Sequence, residues 1–537
     1  MKHIKYIKLS TMVLFLAAVS MIAGASPGEG LHKIWKMKST GSTALHSWEY
    51  EKARKAMDEM FVVAAEDGSS VALREAHKFR ADYCFYEGDY ACVNEAMGEA
   101  LSLGLERDPD DLYERSAALV EAWAGSTVAH SEHFRLRYVE GRDEVLVGPA
   151  LKALEAAHSV LTKDFDIDTG DPILVEVYPT VKSFSISTGL TDEDLEKSGT
   201  IAVCKYRRLM INTPRNLARG YSYLDTLSHE LVHFVVYQRY GRAIPIWLHE
   251  ALAKYQEDRY KGSKGGDLSP AQKSLLASAL RQGELISFDR MSPSFAYLET
   301  PRQGQLAFAE VSTALGYMVD KGGWDLVFDV CDELAKGRDY RQAIKNAMGV
   351  DFDTFWGNWV SYAKGLGYEE IQGIEITVYE IRKGDENFEQ VDEDVKEEEL
   401  AEEGHWKYVR LGDLLRDRGH YRAAEVEYQR AREMDPYSPK ILNKLGLCLF
   451  LGEEYERSLE PLQLGVKMYP SHSTTWVNLG RALFAADKKE ESAKAFENAL
   501  AINPFNPIPY RYLIDIYKER GEESEVERYF RDFKKIS

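Results

Sequence analysis

The spacing of apolar residues changes character several times along the chain. From residue 45 to 125 apolar positions recur at the interval of amphipathic helices, which predicts a helical scaffold. At about residue 130 the period shortens. Phe134-Arg135-Leu136-Arg137-Tyr138 alternates apolar and polar as a half-buried strand does, and Ile173–Tyr178 and Leu209–Asn212 read as further strands. Between the first two, Leu151, Leu154 and Ala157 have the spacing of a helix laid against a sheet. An unusually apolar helix follows: Leu224, Leu227, Leu231, Val232, Phe234, Val235 and Val236 leave it almost no polar face, as expected of a buried central element. The chain leaves it through Gln238-Arg239-Tyr240-Gly241-Arg242 and re-enters helix at Pro245-Ile246-Trp247-Leu248, where proline suits a first turn.

The C-terminal part repeats. Gly412, Gly446 and Gly480 follow one another at a constant interval of 34 residues, and Pro436, Pro470 and Pro504 keep the same interval. Leu411, Leu445 and Leu479, then Tyr428, Leu462 and Phe496, then Ala431, Gly465 and Ala499 complete the set. Small residues let two helices cross closely and proline ends the second, which is the tetratricopeptide pattern. A partial fourth unit begins at Pro507, carries Tyr512-Leu513 and Gly521, and reads as a cap. Ala81, Gly88, Tyr90 and Ala100 occur at similar offsets, so the N-terminal helices resemble a single weak repeat.

Length and charge narrow the picture. A chain of 537 residues predicts several domains. Lys2, Lys5 and Lys8, the apolar run Met12–Ala23 and the small residues Ala23-Gly24-Ala25 read as a secretory signal peptide, too short for a comfortable membrane span. Its loss takes the formal net charge from −20 to about −23, which argues against nucleic acid and anionic membrane as partners. The mature protein is expected to be exported, periplasmic or secreted, with no stable membrane span. Five cysteines, Cys84, Cys92, Cys204, Cys331 and Cys448, imply no disulfide framework; they read as small buried apolar residues, with a Cys84–Cys92 pair across the Gly88-Asp89 turn as the alternative. Residues 385–403 hold eleven Asp or Glu and one Lys, the composition of a solvated linker.

Candidate chemistry sits on the apolar helix. His229 and His233 are one turn apart, so both imidazoles point the same way and can share a cation, with Glu230 beside them. Water on a zinc ion so held would have its pKa lowered to about 7, within reach of Glu230 as a base. Two histidines leave a tetrahedral site one protein ligand short. Glu250, 17 residues past His233, is the candidate third ligand, with His249, Glu257 and Asp258 as rivals. His130 and His133 precede a strand and read as structural.

At these residues the chain resembles a known family. His229-Glu230-x-x-His233 followed by Trp247-Leu248-His249-Glu250-Ala251-Leu252-Ala253-Lys254-Tyr255 resembles the gluzincin metallopeptidases, specifically the peptidase MA-like group, whose second motif usually reads Trp-Leu-x-Glu-Gly-x-Ala-x-Tyr. Ala251 departs from that glycine. The resemblance extends from about Ser131 to the Phe355–Trp359 region. It implies His229, His233 and Glu250 as zinc ligands, Glu230 as general base, and a peptide or protein substrate. It also implies an edge strand that pairs with substrate, a role residues 208–212 would fill, with an internal strand that meets no ligand as the alternative. The oxyanion donor is open among Tyr297, Tyr317, Tyr255 and His249, since Phe308, where a tyrosine is expected, has no hydroxyl.

The expected architecture is an α+β zincin-like metallopeptidase domain flanked by α-helical regions, with a C-terminal α-solenoid of tetratricopeptide repeats. The expected boundaries are 1–25 signal peptide, 26–128 helical region, 129–368 metallopeptidase domain, 369–404 acidic linker, and repeats 405–438, 439–472, 473–506 and 507–537. The repeat groove would take a protein partner. The expected function is peptide hydrolysis; the alternative, favoured by Phe308, is a weak or inactive peptidase fold serving as a binding scaffold.

Overall fold

The computed structural model describes residues 29–106, 112–191, 195, 199–376 and 404–537. The expected signal peptide and most of the expected acidic linker lie outside these. The described residues fall into two compact units. One takes in the chain up to Ser126 with Lys182–Gly189 and Cys204–Arg208; the other takes in Thr127–Val181, Leu190–Val203 and Leu209–Ser537.

The first unit is built on helices α1 (Glu29–His46), α2 (Tyr50–Asp67), α3 (Ser70–Glu87), α4 (Tyr90–Ser102) and α5 (Leu112–Ala122). Helix formation thus starts earlier than residue 45. Ser69 caps α3 by accepting from Ala72 N at 3.2 Å, and Gly88 ends it with a left-handed φ of 74°. Ala81, Tyr90 and Ala100 are buried at the crossing of α3 and α4. Cys84 and Cys92 are joined by a disulfide across that crossing. This corrects the expectation of five free cysteines: the Gly88-Asp89 turn brings two residues eight apart into bonding distance. Cys204, Cys331 and Cys448 form no disulfide. Around Tyr206 in the same unit, the Phe85 and Tyr86 rings lie 5.3 and 4.7 Å away and Tyr50 Oη donates to Tyr206 O at 2.9 Å.

A five-stranded sheet has the order β1-β2-β3-β5-β4. Its strands are β1 (Ser126–His130), β2 (Phe134–Val139), β3 (Ile173–Tyr178), β4 (Ala202–Lys205) and β5 (Arg208–Asn212). Strands β2 and β3 pair in parallel, Phe134 opposite Ile173 and Leu136 opposite Val175, joined through α6 (Glu144–Phe165), whose Leu154, Ala157 and Leu161 are buried. Helix α7 (Val181–Thr188) follows β3. Strands β4 and β5 are linked by Tyr206-Arg207, both at positive φ, 55° and 53°. Of the two readings of residues 208–212, edge or internal strand, the structure has the internal one, so the edge role is corrected. Strand β5 is buried along its whole length between β3 and β4, and β4 holds the edge.

Beyond the sheet run α8 (Tyr223–Tyr240), α9 (Ile246–Gln256), α10 (Pro270–Gln282), α11 (Pro301–Ala335, broken at Gly323), α12 (Tyr340–Met348) and α13 (Phe352–Gly365). Four helix pairs complete the chain: α14 (Trp406–Asp417) with α15 (Tyr421–Met434), α16 (Pro439–Leu451) with α17 (Tyr455–Met468), α18 (Ser473–Ala485) with α19 (Lys489–Ile502), and α20 (Pro507–Arg520) with α21 (Glu523–Ile536). The repeating glycines sit where two helices touch. A Cβ on Gly412 would stand 2.7 Å from the Tyr428 ring, on Gly446 2.4 Å from Leu462 Cγ, and on Gly480 2.7 Å from the Phe496 ring.

The repeats are not a free arm. Within the second unit they bond to the segment that leads into α8: Tyr221 N donates to Ile502 O at 3.1 Å and Ser473 Oγ to Arg219 O at 3.2 Å. Gly220 between them has a φ of 69°, and a Cβ there would lie 2.4 Å from Ile502 O. Lys535 of α21 pairs with Glu144 at the start of α6 at 3.0 Å. Residues after α13 bridge the same bodies, Ile371 N donating to Ser274 Oγ at 2.9 Å and Glu375 N to Tyr469 Oη at 2.9 Å.

Candidate metal centre

Helix α8 buries Leu227, Leu231, Val232, Phe234, Val235 and Val236, so its register in the core is fixed by packing. His229 and His233 share the remaining stripe. Gly241, at a φ of 60°, stops the helix, Gly241 N bonding Tyr237 O at 2.7 Å. Buried Ile244 and then Pro245 start α9, which returns beside α8. The roll of α9 is set by Trp247, wholly buried and stacked on Phe288 at 4.2 Å and 15°. Phe288 in turn packs against Trp356 and Trp359, rings 5.4 and 6.2 Å away. Glu250, one turn along from Trp247, is thereby aimed at the histidines.

Glu250 Oε2 lies 3.4 Å from His229 Nε2 and 3.6 Å from His233 Nε2. The two imidazoles stand at 81° with centroids 4.8 Å apart. A tetrahedral zinc ion with bonds of about 2.0–2.1 Å holds its donors about 3.3–3.4 Å apart. The two Glu250 separations are long for hydrogen bonds, and the first equals an edge of such a tetrahedron while the second exceeds it slightly. The donor set, two imidazole nitrogens and one carboxylate oxygen, fits zinc and leaves a fourth position open. Glu230 lies beside His229 on α8 and is 6% exposed.

Electrostatics keep the cluster together without an ion. Burial would raise the Glu250 carboxyl, but His233 and His229 hold it well below the usual range. Burial lowers His229, yet Glu250 and Glu257 outweigh that and push it up to about 10.

The rival ligands take other positions. Glu257 Oε2 faces the outer nitrogen of His229, Nδ1, at 3.2 Å, while its other oxygen pairs with Lys254. His249 Nδ1 lies 2.6 Å from His233 Nδ1, also an outer nitrogen. Burial, then His233, pushes His249 down to about 3, so it is neutral. Asp258 turns toward Ser263. Lys254 escaped the sequence reading; its one signal was a charge at i−3 from Glu257 on an apolar helix.

Among the oxyanion candidates, Tyr317 is buried against Phe355 and Tyr362, rings 5.8 and 5.5 Å away, and Tyr255 packs edge-on to Trp324. Neither is brought to the cluster, because their faces of α11 and α9 pack on other helices. His249 stands behind His233, its Nδ1 turned toward that ring. Tyr297 is 73% exposed on a short turn whose Phe295 touches Phe308, and Phe308 lies 6.3 Å from the His229 ring.

A second cluster, His133, Glu155 and His158, joins β2 to α6. The two rings are stacked at 3.9 Å and 22°, so their in-plane lone pairs cannot meet at one ion. Glu155 accepts from Ser131 Oγ, His133 N and His133 Nδ1, and His158 Nε2 pairs with Thr169 at 2.8 Å. This is a structural hub. His130 is exposed on β1.

Residues 155–365 match the model of the Peptidase MA superfamily, and residues 409–472 and 473–506 match two tetratricopeptide repeat families. The chain carries a Peptidase MA superfamily domain followed by tetratricopeptide repeats. Curated relatives include a peroxisomal targeting signal receptor of Candida glabrata, 26% identical over 127 residues, 19% of this chain and 22% of that protein. A type IV pilus assembly protein PilF of Pseudomonas aeruginosa is 29% identical over 100 residues, 18% of this chain and 40% of that one. The chain spans less than half the length of the curated relatives it matches. Among solved structures, MamA matches at 19% identity and a TM-score of 0.24, over 24% of this chain and 75% of that one.

Proposed function

We propose that this chain is an exported zinc-dependent metallopeptidase whose repeats engage a protein partner or substrate. One observation carries it: three donors from two packed helices lie within 4.8 Å of one another, Glu250 at 3.4 and 3.6 Å from the two imidazole nitrogens, beside a buried carboxylate. His229, His233 and Glu250 would hold the ion, which when bound supplies Lewis acidity and makes water acidic enough to lose a proton near neutral pH. Glu230, buried beside His229, would serve as the base that takes up a proton and returns it to the leaving amine. Strand β4, at the sheet edge, offers backbone groups to an extended substrate. Export is supported by the N-terminal lysine-flanked apolar run and by the Cys84–Cys92 bond, which persists in oxidising compartments. Among the described residues no helix is long and apolar enough to cross a membrane.

A second reading, a peptidase fold with feeble turnover that serves as a scaffold, is favoured by Phe308, which sets a ring without a hydroxyl near His229. Zinc per chain and peptide cleavage by the wild type and Glu230→Gln decide between them. The expected result is full zinc in both proteins and cleavage only by the wild type; equal cleavage would remove Glu230 from the mechanism. Glu250→Ala should cost most of the zinc, and unchanged metal content would mean a different third ligand.

A further inference from the structure

One short helix touches both histidines from two sides. Glu250, Lys254 and Glu257 follow at i, i+4 and i+7, so they form one stripe of α9 and its C-terminal turn, and His249 adjoins it. Glu250 faces the inner nitrogens. Glu257 and His249 reach the outer ones, at 3.2 Å on His229 and 2.6 Å on His233. An imidazole that gives Nε2 to a metal carries its proton on Nδ1 and must donate it; a partner there fixes both the tautomer and the ring's orientation.

Building on the metal-site reading, we propose that Glu257 and His249 are positioning residues, locking His229 and His233 with Nε2 inward, and that Lys254 holds Glu257 in place. Glu257 is suited to this because its two oxygens are divided between His229 and Lys254, leaving the carboxylate little freedom to turn. His249 is suited because its Nδ1 lies 2.6 Å from His233 Nδ1, close enough to accept the proton that a ring bonded through Nε2 carries there. Helix α9 is then a template: it supplies the third ligand and orients the first two, so the site depends on how α9 packs against α8 and on Phe288, which sets its roll. Partners of this kind change metal affinity by about 10- to 100-fold when removed.

The test uses the full chain. Zinc dissociation constants come from competition with a chromogenic chelator, apo unfolding midpoints report the fold, and the visible absorption of the cobalt-loaded protein reports ligand geometry. Glu257→Gln keeps the side chain's shape and is the deciding variant for His229. It is expected to weaken zinc binding by about 10-fold or more with an unchanged apo midpoint and an altered cobalt spectrum. His249→Phe should weaken binding comparably, and His249→Asn, which keeps an acceptor, should recover part of it. Lys254→Met should lose less than Glu257→Ala. Wild-type zinc affinity and cobalt spectrum in both Glu257→Gln and His249→Phe would overturn the positioning roles while leaving the metal site standing. A wild-type chain that binds no zinc, or that binds it equally after His229→Ala, would overturn the metal site itself.

Discussion

The contact between the repeats and the segment entering α8 can be broken with a single methyl group. In Gly220→Ala the new Cβ would sit 2.4 Å from Ile502 O and 3.1 Å from Asn503 Cβ, where ordinary contact begins near 3.4 Å, and the first of these is backbone that cannot rotate away. The φ of 69° adds a left-handed penalty of roughly 1–2 kcal/mol for any residue with a Cβ. Relieving the clash separates the strands of chain and gives up the bond from Tyr221 N to Ile502 O, roughly 0.5–1.5 kcal/mol, or about 1–3 kcal/mol if the buried amide finds no other partner. The sum is roughly 1.5–5 kcal/mol. Gly170→Ala is the matched control: its φ is 70°, in the same unit, with nothing within 4 Å of the added Cβ. Urea unfolding followed by circular dichroism should place Gly220→Ala below Gly170→Ala by at least about 1 kcal/mol. Equal midpoints for the two would show that the repeats do not bear on Gly220, and the docking would have to be abandoned.

Three further outcomes follow from the packing. Burial pushes the Glu310 carboxyl well above its ordinary range, against the bond it accepts from Ile286 N at 3.0 Å. Because the folded state keeps a proton that the unfolded chain loses near pH 4.3, stability should fall as pH rises above that point, by about 1.4 kcal/mol per unit until the folded carboxyl ionises. Glu310→Gln should abolish that slope, seen as a melting-temperature gain over wild type that grows from pH 4 to pH 8; a constant gain would refute the assignment. Gly446→Ala drives a Cβ to 2.4 Å from Leu462 Cγ and should destabilise by roughly 1–3 kcal/mol in denaturant titrations. Gly357→Ala, exposed within α13 with open space around it, should instead stabilise by up to about 1 kcal/mol.

Features with a fixed period were legible in the sequence. The one-turn spacing of His229 and His233 on an apolar helix and the 34-residue interval of Gly412, Gly446 and Gly480 both appear in space as those spacings require. Strand β4 was not legible: it is four residues long, and its turn, Tyr206-Arg207, has none of the glycine or asparagine that usually marks positive φ. Its invisibility left the place of β5, edge or interior, undecided. Tyr255 and Tyr317 were candidates by residue type and chain position, while their placement is decided by helices that pack from elsewhere. Glu257 was visible as a carboxylate near the histidines, but which nitrogen it faces depends on the roll of α9. Gly220 reads locally as a turn, and only the contact with Ile502, far along the chain, shows what it admits.

The aromatic block beneath α9 holds the candidate ligands in place whether or not an ion is bound. Small zinc domains collapse into disorder under a chelator because the ion is what gathers their side chains. Here Trp247, Phe288 and Trp359 gather them, so chelation should leave the circular dichroism spectrum intact. A metal bound as proposed would enter and leave a site that is already folded.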